Sequence, residues 1–375
     1  MKMPHIPRVN KTNKLKSIDF TFATVVLLLL AYGLIMVFSA SSASAHYRMG
    51  DTFYFIKRQA LWAVIGLGAM AFLSYVPYKV YYKFALPILG GAVILLVAVL
   101  TPLGVEVNGA QRWLGFGPFT FQPSELAKFA LIIFLAKSLS ENDDIVKKSW
   151  GGFALYMGII GVVAGLVIIE PHMSGAVLIA GVGVIMLFAA GAKMSHLSVL
   201  AVIGVIGAFI LAIAAPYRLE RLTSFLDPFA DPSDTGFQVV QSFYAIGSGG
   251  FFGLGLGQSR QKFLYLPEPQ NDFIFSIICE ELGFFGALLV IVLFAVLIWK
   301  GVRIALRAPD AFSSLLVSGI TAIIGMQAIL NIAVVTGSMP NTGVPLPFFS
   351  YGGTSLFIIL CSMGIVLNVT RHIKK

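Results

Sequence analysis

Residues 216–283 read PYRLERLTSFLDPFADPSDTGFQVVQSFYAIGSGGFFGLGLGQSRQKFLYLPEPQNDFIFSIICEELG. On either side of them the chain is built from apolar runs long enough to cross a bilayer. This stretch instead carries Arg, Lys, Asp, Gln, Gly and Pro, and ends abruptly in the apolar run FIFSII. A connection longer than about 15 residues is uncommon and is usually functional or disordered. Phe225, Phe229, Phe237, Phe243, Tyr244, Phe263 and Tyr265 argue against disorder, because disordered segments are poor in aromatic residues. Chemistry is expected here.

The flanking composition defines the class. Of 375 residues 58% are hydrophobic and 11% charged, with a mean hydropathy of +0.89, which describes a multi-pass membrane protein. Cys279 and Cys361 fall inside apolar runs without a CxxC pair or a neighbouring histidine cluster, so they read as buried thiols. The formal charge of +9 would suggest nucleic acid in a soluble protein. In a membrane protein it first raises the question of sidedness, and no nucleic-acid partner is expected.

The apolar runs predict an all-α integral membrane protein of about ten spans, near 20–37, 59–76, 84–102, 124–139, 152–169, 175–191, 195–215, 273–299, 312–336 and 353–369. A long extracytoplasmic loop, 216–272, separates spans seven and eight. The organisation is a cytoplasmic basic tail over 1–17, one polytopic domain over 18–371 and a short cytoplasmic tail over 372–375. The serine-rich run Ser39–Ala45 imitates a signal-peptidase site. The apolar run before it exceeds the ~7–15 residues of a signal peptide, which favours a retained first span.

Lys2, Arg8, Lys11, Lys14 and Lys16 set the amino terminus inside, and an even number of spans returns the carboxyl terminus to the same side. Most of the 26 Lys and Arg then lie on inner segments. Arg112, Lys128, Arg218, Arg221, Arg260 and Lys262 break the rule, in or beside unusual outer segments. Outer cations point to a bound anion, or to loop salt bridges with Glu220, Asp227, Asp231 and Asp234.

Three constellations hold the chemistry. Asp272 follows the turn Leu266-Pro267-Glu268-Pro269 and precedes an apolar run, so it reads both as a helix N-cap and as a carboxylate at a cavity mouth. Glu280 and Glu281 lie ~12 Å deeper on different helix faces. Glu281 is expected to pair with another helix, and Glu280 to lie nearer the Asp272 face. Next come GAQRW (109–113) and QPSELAK (122–128), where Pro123 suits a helix start and Glu125 and Lys128 share a face. The third is PNTGVPLPFFSYGGTS (340–355), whose broken backbone at membrane depth must be buried in protein or line a cavity. Its Ser350, Thr354 and Ser355 read either as ligand hydroxyls or as caps. The glycines of 247–257 lack the context of a dinucleotide fingerprint.

LPEPQNDFIF…EELG, GAQRW, QPSELAK and PNTGVPLPFFSYGGTS, together with FSASS at 38–42 and Lys57-Arg58-Gln59, resemble the SEDS family (shape, elongation, division and sporulation). The segment around Asp272 looks closer to the FtsW and SpoVE branch than to RodA. The resemblance implies a peptidoglycan glycosyltransferase that polymerises lipid II at the outer face of the bacterial cytoplasmic membrane. It also implies a class B penicillin-binding protein as partner, and other division or sporulation membrane proteins. It carries the family's essential aspartate onto Asp272, its motif Glu and Lys onto Glu125 and Lys128, and its loop tryptophan onto Trp113. The family's frequent Pro-Asp after span five is Pro171-His172 here, so no acid role falls to that loop.

An outward-facing site cannot draw on cytoplasmic nucleotide sugars, so the donor is expected to be lipid-linked. Converting an α-linked sugar pyrophosphate to a β-1,4 bond means inversion by direct displacement. Asp272 is then the expected base, worth ~10²–10⁴-fold. Arg112, Arg218, Arg221 and Lys262 are candidates to stabilise the departing pyrophosphate, and Trp113, Glu268, Ser350, Thr354 and Ser355 to bind substrate. The resemblance allows a divalent cation, Mg or Mn, and no organic cofactor. The rival classes are a lipid II flippase, which would carry polar sites through the midplane, and a scaffold, which would not need Asp272.

Overall fold

A computed structural model describes residues 17–107, 110–116, 119–142, 146–147, 149–213, 225–231 and 236–373. Ten helices coincide with the ten expected spans. They are α1 (Phe20–Met49), α2 (Tyr54–Leu73), α3 (Lys79–Val99), α4 (Pro123–Glu141), α5 (Trp150–Ile169), α6 (Met173–Ala189), α7 (Met194–Ile213), α9 (Ile274–Leu306), α10 (Ala311–Val335) and α11 (Gly353–Thr370). Among the described residues seven of these, α1, α2, α3, α5, α9, α10 and α11, are long and apolar enough by themselves to cross a membrane. α4 has Glu125, Lys128 and Lys137 in its length, and its inner face is nonetheless almost wholly buried. Packing inside the bundle, not its own hydropathy, holds it there.

Two elements go beyond the expected helices. Between α3 and α4 lies a three-stranded antiparallel sheet of β1 (Gly104–Val107), β2 (Ala110–Phe116) and β3 (Phe119–Phe121). The large loop contains α8 (Phe237–Gly249), which packs along α9 and whose Ser242 hydroxyl donates to the Val335 carbonyl at 2.8 Å.

The loop after α8 is tied into α9 at a break. Gly283 adopts φ +66°, and a Cβ there would meet Gly253 N at 2.4 Å, so only glycine fits the crossing. Backbone groups freed by the break find partners in the glycine-rich run. Leu254 N donates to Glu280 O and Phe284 N to Gly250 O, both at 2.9 Å. This contact lies about 14 Å along α9 from its first residue. The apolar run therefore keeps its backbone paired where water is scarce.

The first span runs without interruption through the serine-rich stretch. Ser39, Ser41 and Ser44 are buried in α1, and the Ser39 hydroxyl donates to Glu281 at 2.7 Å. At the end of the bundle where α1 begins and α11 ends, Asp19 caps α1 and its amide donates to Thr370. The Asp272 region lies at the opposite end.

Candidate active site

Asp272 is carried on the turn before α9 by its neighbours' backbone bonds. Asn331 of α10 donates to the Asp272 carbonyl and to the Val344 carbonyl, each at 2.7 Å. Ser350 donates to the Asn271 carbonyl and accepts from Leu346 N, both at 2.7 Å, while Tyr351 N donates to Gln270 O at 2.8 Å. The 340–355 stretch thus holds residues 270–272 from one side. Gly343, at φ +68°, presents its α-carbon face so closely that a Cβ would stand 3.3 Å from Asp272 Oδ2.

The Asp272 carboxyl is not spent on capping. Phe273 takes the N-cap position of α9 and no side chain caps it, so the capping alternative fails and the carboxylate is left for other work. Burial, and then the nearby Glu268 carboxylate, push Asp272 up to about 6, against the opposing pull of Arg112. Glu268 itself sits at φ +44°, a strained backbone for a non-glycine residue, and accepts from Asn271 Nδ2 at 2.8 Å.

The opposite wall is the start of α4, where Pro123 stands at the first helical position. Lys128 Nζ lies 2.7 Å from Glu125 Oε1, and both side chains are buried. The second Glu125 oxygen accepts from Ser355 at 3.0 Å. Ser350 and Ser355, from one segment, therefore connect the Asp272 turn to the Glu125–Lys128 pair.

The third wall is the α5–α6 connection. Arg112 of β2 donates to the carbonyls of Glu170 and Pro171, which fastens the sheet over this turn. His172 Nδ1 lies 3.2 Å from both Gln122 Nε2 and Ser124 Oγ. An amide nitrogen can only donate, so Nδ1 accepts and the proton sits on Nε2. Burial, followed by the charge of Arg112, pushes His172 down to about 4, which keeps the ring neutral at pH 7. Glu170 is fully buried, neither carboxylate oxygen has a hydrogen-bond partner among the described residues, and burial raises it to about 8.

The structure sorts the expected residues. Arg112, Glu125, Lys128, Glu268, Asp272 and Ser355 come together. Trp113 pairs across the sheet with Val105, and Thr354 lies half-buried in the first turn of α11. Three readings are corrected. Lys262 is buried at 2.9 Å from Glu281 and also donates to the Gly257 carbonyl, so its charge neutralises Glu281 instead of facing a ligand. Ser350 uses its hydroxyl as a backbone brace. Glu280 does not line the site either, since it accepts from Ser259 and from Arg260 N. Glu281 pairs with α1 through Ser39, as expected of it. Arg218 and Arg221 lie outside the described residues.

Sequence reasoning passed over three residues. Asn331 was detectable as a lone amide in an apolar run. Gln59 exchanges bonds with Ser350 O and Gly352 N and was legible only as part of a motif. Glu170 had no signal beyond its charge at a span end.

Ten apolar helices with buried carboxylates, a lysine and an arginine gathered at one end define a polytopic membrane protein with a polar site at the membrane boundary. The chain belongs to the family of cell cycle proteins that comprises FtsW, RodA and SpoVE, whose model matches residues 20–375. It is 47% identical over 362 residues to stage V sporulation protein E of Bacillus subtilis, covering 96% of this chain and 99% of the relative. It is 42% identical to a probable peptidoglycan glycosyltransferase FtsW of Geobacter sp. strain M18, with the same coverage. Two solved structures share the fold. One chain, from a study of how a peptidoglycan synthase complex coordinates polymerization and crosslinking, matches with TM-score 0.79 and 31% identity over 95% of this chain and 98% of that one. The rod shape determining protein RodA of Thermus thermophilus matches with TM-score 0.71 and 28% identity over 96% and 98%.

Proposed function

We propose that this protein is a peptidoglycan glycosyltransferase that polymerises lipid II at the outer face of the bacterial cytoplasmic membrane, with both termini in the cytoplasm. The carrying observation is the Asp272 carboxyl, unspent on capping, half-buried and raised to about 6 beside Arg112 and Glu268. A base poised near the working pH combines the ionised form with useful basicity. In this reading the acceptor hydroxyl oxygen attacks C1 of the donor sugar and its proton passes to Asp272. The C1–oxygen bond to the lipid pyrophosphate breaks with inversion, and the lipid pyrophosphate leaves with the electron pair. Arg112 contributes positive charge near the leaving group, while Glu125 and Lys128 orient the opposite wall through Ser355.

No group of three or more His, Cys, Asp or Glu side chains suited to a metal occurs among the described residues. Mg²⁺ commonly needs only one or two carboxylates together with substrate phosphates, and Glu268 fits that role while Asp272 stays free as the base. A bound divalent cation would supply charge to the departing pyrophosphate. A class B penicillin-binding protein is the proposed partner, together with other division or sporulation membrane proteins. The name of the peptidoglycan synthase complex in which a similar chain was solved supports that reading.

The test is polymerisation of labelled lipid II by the purified protein with a transpeptidase-inactive partner and a divalent cation, beside Asp272→Ala. Strands from wild type that disappear in a folded Asp272→Ala protein support the reading. Strands that persist in the mutant remove Asp272 from the centre of the mechanism. A folded, partnered wild type that makes none turns the reading toward a flippase or a scaffold.

A further inference from the structure

At the end of the bundle where α1 begins and α11 ends, a cavity of about 440 Å³ opens between α1, α9 and α11. By helix rise it lies roughly 40 Å along α9 from the Asp272 turn, so it belongs to a different site. Lys300, Arg303 and Arg307 line it, with Asp19 the single acid among the described lining residues.

The balance of charge is unspent. Asp19 already accepts from Phe22 N at 2.9 Å and lies 3.2 Å from Lys300, so one acid is committed to a helix cap and one cation. Arg303 stacks on the Trp299 ring at 4.4 Å, and neither Arg303 nor Arg307 has a carboxylate partner among the described residues. The preceding sequence, with Lys2, Arg8, Lys11, Lys14 and Lys16, adds further positive charge, so the tail is an electrostatically poor occupant.

The surroundings select an amphiphile. Phe20 and Leu306 are 78% and 81% exposed, and Trp299 and Val302 about half exposed. Each is adjacent in sequence, or within a turn of helix, to a polar or charged residue of the cavity wall. A ligand with an anionic head and apolar chains would satisfy both surfaces at once. A free ion would use only one.

We propose that this cavity binds the phosphate-bearing headgroup of an anionic phospholipid such as phosphatidylglycerol, with its acyl chains along Phe20, Val302 and Leu306. Basic pockets between spans at one membrane face suit such headgroups. Trp299 marks the interfacial level at which the headgroup would sit.

Native mass spectrometry of the full chain in a neutral detergent tests this, with phosphatidylglycerol, phosphatidylcholine and inorganic phosphate as separate probes. Wild type should retain phosphatidylglycerol roughly tenfold better than phosphatidylcholine. The triple variant Lys300→Gln/Arg303→Gln/Arg307→Gln should lose roughly 100-fold in affinity. Lys79→Gln/Lys83→Gln, cations outside the cavity, should retain it. Arg303→Gln alone leaves the Lys300–Asp19 pair intact and should cost about fivefold, which decides the matter if the triple variant does not fold. Unchanged retention in a folded triple variant, or in Arg303→Gln where the triple does not fold, would overturn the proposal. So would equal retention of the two lipids. Displacement of phosphatidylglycerol by millimolar inorganic phosphate would also overturn it, leaving an anion site without lipid.

Discussion

Asn331 Nδ2 donates to the Asp272 carbonyl oxygen at 2.7 Å, so a side chain of α10 fixes the backbone that carries the central carboxylate. The same nitrogen holds Val344 O, and with it the loop that packs Gly343 against Asp272. The two halves of this wall are therefore positioned by one amide.

Asn331→Leu should strand both carbonyls. A buried unpaired acceptor costs about 1–3 kcal/mol, so the variant should melt earlier and lose lipid II polymerisation without a substrate contact having been removed. Thermal unfolding in detergent and strand synthesis check the two effects together.

The acid limb of the rate profile should fall near pH 6, not near 4. Burial and Glu268 raise Asp272, so the base is protonated and inactive as pH drops through about 6. Glu268→Gln removes one raising charge and should move the limb down. Arg112→Gln removes the lowering charge and should move it up. Strand synthesis across pH 4.5–8 measures both directions.

Lys128→Met leaves the Glu125 carboxylate buried without its ion partner, at a cost of about 3–5 kcal/mol. The double variant Glu125→Gln/Lys128→Met should recover part of that stability and none of the activity. A double-mutant cycle on unfolding free energy reads the coupling.

Lys262→Met should behave as a stability mutant. Its partner Glu281 is fully buried, so the variant should melt early, while its folded fraction should keep the wild-type KM for lipid II. A raised KM with unchanged melting would return Lys262 to pyrophosphate binding.

Glu170 is protonated in the fold at pH 7 and ionised once unfolded. Because its folded pKa is raised from 4.5 to about 8, the fold loses stability as pH rises between those values. Glu170→Gln has no such penalty, and its melting advantage over wild type should widen up to about pH 8 and then level off. Paired melts at pH 5.5, 7 and 8.5 test the slope.

Much of this protein is local and therefore legible in the chain. A span is an apolar run of sufficient length, a property each segment holds alone, which is why ten helices fall where the runs do. Pro123 opening α4, and Glu125 meeting Lys128 three residues on, follow from helix geometry. The sheet has a local signal too, since Asn108-Gly109 between β1 and β2 favours a hairpin. What only the tertiary structure decided is the pairing of distant groups. Ser39 reaches Glu281 across 242 residues of sequence, and Ser355 reaches Glu125 across 230. By its place in an outer segment Lys262 reads as a ligand cation, yet the loop folds inward and buries it on Glu281. In an apolar interior a charge must find a partner or be neutralised by protonation, as Glu170 is, and which of these happens depends on how the helices assemble, not on the sequence beside it.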